Sequence, residues 1–222
     1  MRVLHLVDSG CGWEQRLAIT QMLDRFDAKI IECTVAGIDP SHAAALLPGI
    51  DVIPAPRKLG LPALAAPTIR SLNQAKSFDL IHAWGAPSAA AARAALPATS
   101  PLIISIFDPG LSASDMRILL TVQSAGPCFF ACSTERVRRR LVEQGINFES
   151  CAVVRPGVDF KIIREAKDQD MRAKLGINRD CLVAITSDPP TRRGGHRSAL
   201  WAATMYAHLG EDVRLLVPGH SS

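Results

Sequence analysis

The sequence predicts a doubly wound α/β fold, in which helices cover both faces of a parallel sheet. Short apolar runs recur along the 222-residue chain, and each is followed by a turn and a helix-like segment. Most of these runs lack polar alternation, as expected of strands that are buried on both faces. The length is sufficient for one large domain, or for one domain and part of another.

Nine strands are predicted, at residues 3–7, 29–35, 51–53, 80–83, 102–107, 128–131, 152–154, 182–186 and 213–217. A helix is predicted over residues 14–24, where the apolar residues have helical spacing, and another over the alanine-rich residues 89–96. Ser133 is expected to be the N-cap of a helix that continues to Gly145. Two later helices are predicted over residues 169–175 and 198–209.

A domain boundary is predicted near residue 160. Proline and glycine at Arg155-Pro156-Gly157 follow a strand and precede a charged segment over residues 161–174. Residues 1–160 are therefore expected to form the first domain, and residues 161–222 a linker helix and the first β-α-β of a second. Because the strand at 213–217 begins a unit that Ser222 does not complete, we expect this second domain to be truncated.

The composition favours a soluble protein and argues against a nucleic-acid surface. The net charge is +4, but the basic residues form no long stripe with interleaved aromatics. The run Arg136, Arg138, Arg139 and Arg140 is most simply a solvated helix face, and peripheral contact with a membrane or a phosphate is its alternative. The first apolar stretch is too short for a signal peptide or a membrane span, so we expect a cytoplasmic protein.

The six cysteines are scattered, and no pair has the C-x-x-C spacing of zinc or redox sites. Reduced, buried thiols are the simplest interpretation. No cluster of carboxylates and histidines suggests a metal site. We therefore expect neither a metal nor a cofactor.

A glycine-containing turn, Gly10-Cys11-Gly12, follows the first strand and precedes a helix. Backbone N–H groups at such a helix N-terminus are suited to phosphate, and glycine allows close approach. The G-x-G spacing lacks the third glycine of the dinucleotide fingerprint. A plain tight turn is an equally good interpretation of this segment in isolation.

Two polar residues are candidates for catalysis at the carboxyl edge of the predicted sheet. His82 lies in the run L-I-H-A-W-G and could orient a hydroxyl or donate to a phosphate, although a packed histidine is the commoner outcome. His5, inside the first strand, is expected to be packed. Asp108 follows another strand and could accept a hydrogen bond from a sugar hydroxyl, or simply cap its loop.

The best phosphate candidate in the chain lies between residues 186 and 198. Arg192, Arg193 and Arg197, together with His196, follow a strand and accompany two glycines before a helix. Guanidinium groups in that position could neutralise a diphosphate. The alternative is a basic surface loop.

The ordered series of these motifs resembles the family 4 group of GT-B glycosyltransferases. The resemblance covers nearly the whole chain, and its most telling part is V-V-R-P-G-V-D followed by M-R-A-K-L-G-I. It implies a two-domain, Rossmann-like, metal-independent enzyme that transfers a sugar from a nucleotide-diphosphate sugar to an acceptor with retention. The first domain would receive the acceptor, while Gly10, Cys11 and Gly12 would lie against the donor phosphates.

Three departures from the family pattern qualify these roles. Asp188 stands where the family has a diphosphate-binding arginine, whereas Arg193 stands where the family has a diphosphate-binding lysine and keeps its positive charge. Arg192 could substitute for the missing arginine from a shifted loop. Phe107 replaces an active-site histidine and cannot hydrogen-bond a sugar. The family's donor-binding helix with two glutamates would lie beyond Ser222.

Two other functions remain as alternatives. A non-catalytic, glycosyltransferase-like scaffold is favoured by Asp188, Phe107 and the early end of the chain, and a dinucleotide-dependent oxidoreductase rests only on the shared α/β pattern. The expected partners are a nucleotide-sugar and an unidentified acceptor. The exposed sheet edges of an incomplete second domain also predict a homo-oligomer or a partner chain that covers them.

Overall fold

A computed structural model describes residues 1–8, 11–38, 47, 49–56, 61–108, 110–166, 171–186 and 195–217. The chain divides into two compact units, Met1–Val158 and Asp159–Ser222. Among the described residues no helix is long and apolar enough to cross a membrane.

The first unit is built on a seven-stranded parallel sheet in the order β3-β2-β1-β4-β5-β6-β7. Its strands are β1 (Arg2–Val7), β2 (Glu32–Gly37), β3 (Val52–Pro54), β4 (Leu80–Trp84), β5 (Leu102–Ile106), β6 (Phe129–Cys132) and β7 (Cys151–Val153). The strand order reverses between β1 and β4. In open α/β sheets the crevice at such a reversal, outside the carboxyl ends of the strands, is where ligands bind.

The described residues of this unit form five helices: α1 (Trp13–Arg25), α2 (Ala66–Lys76), α3 (Ala86–Ala95), α4 (Ala113–Ala125) and α5 (Glu135–Glu143). Short 3-10 turns occupy Pro62–Ala65 and Phe148–Ser150.

The expected N-cap of α5 is corrected by one residue: the hydroxyl of Thr134, not Ser133, accepts the N–H of Val137 at 3.2 Å. Ser133 instead donates to the carbonyl of Phe107 at 3.2 Å.

The main core lies between one face of the sheet and the helices α2 to α5. Leu4, Ala83, Ile104 and Phe130, from four adjacent strands, are fully buried there. We call this the covered face. Side chains alternate along each strand, so the intervening residues project from the opposite face, where α1 packs Ile19 beside Val7 and Val35.

The second unit contains α6 (Phe160–Ala166), α7 (Met171–Lys174), β8 (Leu182–Ile185), α8 (His196–His208) and β9 (Val213–Leu216). Strands β8 and β9 pair in parallel. Cys181 is buried, whereas Trp201 in α8 is 67% exposed and Ile185 is also exposed. The described part of this unit therefore forms a small β-α-β with much apolar surface in contact with solvent.

The predicted fold class is confirmed, and all nine predicted strands are present. The largest difference in bounds is at β2, which begins at Glu32 rather than at residue 29, because residues 28–30 form a turn in which the N–H groups of Lys29 and Ile30 bond to Asp27. Helices α2, α4 and α6 were not predicted. Helix α6 lies largely in the charged segment 161–174, in which the sequence predicted a helix only over residues 169–175.

Candidate functional site

The carboxyl ends of β1 and β4 meet at the reversal of strand order, and a buried carboxylate lies between them. Asp8, directly after β1, accepts a hydrogen bond from the Ser88 hydroxyl at 3.0 Å. Ser88 is in the first turn of α3, so the negative charge lies at the positive end of that helix. Sequence reasoning did not identify Asp8 as part of a site, although an aspartate directly after an apolar strand was the available signal.

Gly85 links β4 to α3 and has φ of +112°, a conformation that other residues rarely adopt. A Cβ at this position would lie 3.3 Å from the Oδ2 atom of Asp8. The close approach of this backbone to Asp8 therefore depends on glycine. Together, Gly85 and Asp8 fix the start of α3 against the end of β1.

Cys11 has a buried thiol that bonds to the carbonyl of Trp84 at 3.6 Å. Burial, and then the nearby charge of Asp8, raise the pKa of this thiol to about 12, so it is protonated at neutral pH. The Cys11 N–H donates to the carbonyl of Asp8 at 3.1 Å. Cys11 thus anchors the loop, and neither its thiol nor its N–H is presented as a phosphate ligand in this conformation.

Gly12 is the N-cap of α1, and its N–H donates to the side-chain Oε1 of Gln15 at 3.0 Å. Its φ of −65° is accessible to any residue, and a Cβ would meet no atom within 4 Å. Backbone strain therefore does not require glycine here, whereas open space in front of a helix N-terminus suits a close ligand. A phosphate that bound the Gly12 N–H would displace the Gln15 side chain. Gly10 lies outside the described residues.

Asp108 follows β5 and is exposed. Its Oδ1 accepts the N–H of Gly110 at 2.6 Å, so the carboxylate stabilises the turn of its own loop, the simpler of the two roles expected from the sequence. This contact leaves the catalytic role of Asp108 a prediction.

His82 is the central residue of β4, so its expected place at the carboxyl edge is corrected. Its ring projects from the sheet face opposite the covered face, because side chains alternate along the strand. The Nε2 atom lies 2.8 Å from the Ser105 hydroxyl, and the ring stacks on Trp84 with centroids 4.3 Å apart. Burial, followed by the proximity of His5, lowers the pKa of His82 to about 3, so the ring is neutral at pH 7.

His5 lies beside His82 in the neighbouring strand, with ring centroids 5.1 Å apart. It is 1% exposed, and burial lowers its pKa to about 4. Its Nδ1 accepts a hydrogen bond from the indole N–H of Trp84 at 3.4 Å. His5 is packed, as the sequence suggested, but it belongs to a polar cluster with His82, Trp84 and Ser105 rather than to an apolar core.

A cavity of about 510 Å³ lies over this cluster. Its floor is formed by β1, β4, β5 and β6, one side by α1 through residues such as Met22, and another by residues 154–158 after β7. We call this side of the sheet the cavity face. Phe107, which replaces the histidine of the family pattern, lines the cavity and lies 6.0 Å from Trp84 between ring centroids. The replacement thus adds apolar surface to the cavity.

The cavity has the character of a small-molecule site. Its volume lies in the usual range of about 300–1,000 Å³, and its lining is mainly apolar with a few convergent polar groups. The sequence identified His82 in this place but did not indicate a cavity, because the cavity depends on which face the crossover helices leave uncovered.

The predicted phosphate residues Arg192 and Arg193, and the anomalous Asp188, lie outside the described residues. Thr186 and His196 flank these residues in the chain. The Nε2 atom of His196 lies 3.1 Å from the hydroxyl of Thr186. The diphosphate role of Arg192 and Arg193 stays a prediction.

The arginines of α5 lie mainly on its solvated side. Val137 and Leu141 are buried, whereas Glu135 pairs with Arg138 at 2.9 Å and with Arg139 at 3.3 Å. These contacts agree with the solvated-face interpretation.

All six cysteines are free, and among the described residues no three His, Cys, Asp or Glu side chains converge as a metal site.

Several solved structures resemble nearly all of this chain. Anabaena HepE in complex with UDP-glucose aligns with a TM-score of 0.65 at 16% identity, over 99% of this chain and 70% of that one. The S. aureus MnaA–UDP co-structure aligns with a TM-score of 0.62 at 13% identity, over 100% and 62% of the two chains. The UDP-N-acetylglucosamine 2-epimerase from Rickettsia bellii gives 0.58 at 12% identity, over 97% and 68%.

No protein-family model matches the chain, and no curated protein matches it in sequence. At these identities the likeness shows the fold alone. It is a GT-B-type fold of the kind found in nucleotide-sugar enzymes, and this chain spans about two thirds of the length of such proteins.

Proposed function

We propose that the chain is part of a glycosyltransferase that moves a sugar from a nucleotide-diphosphate sugar to an acceptor with retention at the anomeric carbon. The observation that carries the proposal is the likeness over almost the whole chain to proteins whose structures contain UDP or UDP-glucose. Transfer and retention come from the resemblance of the ordered motifs to family 4 glycosyltransferases.

The roles that we assign follow the charges and the strand ends. The first unit receives the acceptor, and Gly12 at the N-terminus of α1 approaches the donor phosphates. The positive side chains of Arg192 and Arg193 neutralise the leaving diphosphate, which is a large source of rate enhancement in such transfers. Asp8 acts indirectly, because it holds the loop that carries Gly12 against α3.

The test is calorimetric titration of the folded chain with UDP, UDP-glucose and GDP. We expect UDP to bind, and the Arg192→Ala/Arg193→Ala variant to bind at least about tenfold more weakly, since each charged hydrogen bond contributes about 1.5–3 kcal/mol. The matched control is Arg136→Ala/Arg140→Ala, which removes the same charge from the exposed side of α5 and should leave the affinity unchanged.

Retention is tested by following the slow hydrolysis of UDP-glucose by NMR before the released glucose mutarotates. The first product should be α-glucose, the anomer of the donor. Release of β-glucose would contradict a retaining mechanism, and formation of an epimerised nucleotide-sugar without hydrolysis would replace the transferase with an epimerase. If the folded chain binds none of the nucleotides, the proposal fails.

A further inference from the structure

The polar cluster in the cavity contains a buried donor that has no partner among the described residues. Trp84 donates its indole N–H to His5 Nδ1, and an indole nitrogen can only donate. Since burial keeps the His5 ring neutral, its single proton must be on Nε2. That Nε2 atom is buried and has no hydrogen-bond partner in the part of the chain that the structure describes.

Such a donor is unusual in a folded protein, because an unsatisfied buried N–H costs about 1–3 kcal/mol. More than about nine in ten buried polar groups are satisfied by protein or by a bound molecule. His5 is 1% exposed and lines the cavity. An oxygen that reached Nε2 from the cavity, after a small shift of the side chains that cover this atom, would complete the hydrogen bonding of the cluster.

The rest of the lining determines what carries that oxygen. Val3, Ile103 and Met22 present aliphatic surface, while Trp84 and Phe107 present aromatic surface. A sugar ring, with a hydroxyl on nearly every carbon, would leave most of its hydroxyls unpaired against these side chains. An apolar group with one or two oxygens matches both this lining and the polar atoms of the cavity floor, which are His5 Nε2, the His82 ring and the Ser105 hydroxyl. Further polar side chains, Gln21 and Arg25 from α1 and Arg155 from the segment after β7, line the sides of the cavity.

The cavity also reaches the edge of the sheet where the chemistry is proposed. Leu80 marks its amino-terminal side, and Phe107 and Arg155 mark its carboxyl side. A ligand that lies along the strands would present one end beside the exposed Arg155 and beside Phe107, the residue before Asp108. The other end would remain over the cavity face.

From this geometry we infer that the cavity binds the apolar part of the acceptor, and that the acceptor is an amphiphile whose apolar group carries an oxygen that accepts a hydrogen bond from His5 Nε2. The inference rests on the proposed function, since it identifies the ligand as the acceptor of that reaction. It assigns a substrate class, an alcohol or phenol with an attached aromatic or aliphatic group, to a cavity that no sequence motif indicated.

The experiment uses p-cresol and p-xylene, two probes of nearly equal shape of which only p-cresol has an oxygen. The three tryptophans are labelled with 5-fluorotryptophan, and the resonance of Trp84 is assigned with Trp84→Phe. We expect p-cresol to shift the Trp84 resonance in fluorine NMR and to leave that of the exposed Trp201 unchanged.

His5→Phe, which keeps the ring but removes the donor, should weaken p-cresol binding by about fivefold to tenfold, as expected for one neutral hydrogen bond. The same variant should change p-xylene binding by less than about twofold, because p-xylene makes no such bond.

A second variant keeps the test decisive if His5→Phe does not fold. Ala131 lines the cavity, so Ala131→Leu should fill part of it and weaken both probes. Ala202→Leu, on the exposed surface of α8, is the matched control and should weaken neither. Equal loss of both probes in His5→Phe, or undiminished binding in Ala131→Leu, would overturn the inference.

Two further outcomes identify a different occupant or a different failure. If the Trp84 resonance depends on protein concentration without any probe, a second copy of the chain covers the cavity and the inference is wrong. If UDP binds but neither probe does, the acceptor class fails while the proposed function stands. If p-cresol binds as expected but no nucleotide does, the proposed function fails, and with it the identification of the ligand as an acceptor.

Discussion

The two faces of the first sheet are made by the same strands and yet differ in kind. On the covered face, Leu4, Ala83 and Ile104 are fully buried under α2 to α5. On the cavity face, the residues next to them in the chain, His5, His82 and Ile103, line a cavity, and the two histidines belong to the polar cluster. One face is a core that stabilises the fold, while the other is available for a ligand.

The handedness of the connections explains the difference. From β4 to β7 the chain crosses the sheet in one direction, and right-handed crossovers then place α3, α4 and α5 on the same face. The β1 to β2 connection runs the opposite way, so α1 lies on the other face, over β1 and β2. In the described part of the chain, no crossover helix is therefore directed to the cavity face of β4, β5 and β6, which is where the cavity lies.

The sharpest test of this comparison is a pair of adjacent isoleucines in β5. Ile104→Ala removes a fully buried side chain from the covered face and should lower the free energy of unfolding by about 2–5 kcal/mol. Ile103→Ala enlarges an existing cavity at a half-buried position and should cost at most about 1.5 kcal/mol. Urea denaturation measures both. Equal costs would show that the cavity face is packed as tightly as the covered face.

The start of α3, which covers the first of these faces, depends on Gly85. Gly85→Ala places a Cβ 3.3 Å from Asp8 Oδ2 at φ of +112°, and should cost about 1–3 kcal/mol of unfolding free energy. Gly157→Ala is the control, since a Cβ there meets nothing within 4 Å, and should change stability by less than about 0.5 kcal/mol. A thermal shift as small for Gly85→Ala as for the control would mean that α3 does not depend on this contact.

The stability should depend on pH because of the two histidines on the cavity face. The apolar residues of the covered face should contribute no such dependence. The pKa of His5 is lowered to about 4 and that of His82 to about 3, mainly by burial, whereas both are about 6.5 in the unfolded chain. Between those values the unfolded chain binds protons that the folded chain does not. The free energy of unfolding should therefore fall as the pH decreases from about 6.5 towards 4, by up to ~1.4 kcal/mol per pH unit for each histidine.

Urea denaturation between pH 7.5 and 4.5 checks this expectation. The His5→Phe/His82→Phe variant should lose less stability over the range than the unmodified chain, and His208→Gln, at an exposed position, should behave like the unmodified chain. The same pH slope in all three proteins would show that the two histidines take up protons in the folded chain as readily as in the unfolded one.

The strands were predictable because most are short apolar runs without polar alternation, so local sequence was sufficient to find all nine. Helices α2 and α4 escaped prediction because their apolar residues, such as Ile69 and Leu119, are mixed with polar residues and were not separated from the surrounding loops. For the candidate site, the residue types at 11, 12, 82 and 108 were visible. Their hydrogen bonds to Trp84, Gln15, Ser105 and Gly110 join residues in arrangements that strand periodicity does not specify.

The sequence by itself determined the fold class and the positions of the strands, because these follow from local hydrophobic pattern and backbone preference. Tertiary structure decided that Cys11 is an anchor, that His82 faces the sheet surface rather than its edge, and that His5 is left with a buried donor. Those outcomes depend on strand register and on the direction of each crossover, which bring together residues up to about 80 positions apart, such as Asp8 and Ser88. A local pattern fixes which way a side chain alternates, but only the assembled sheet fixes what lies opposite it.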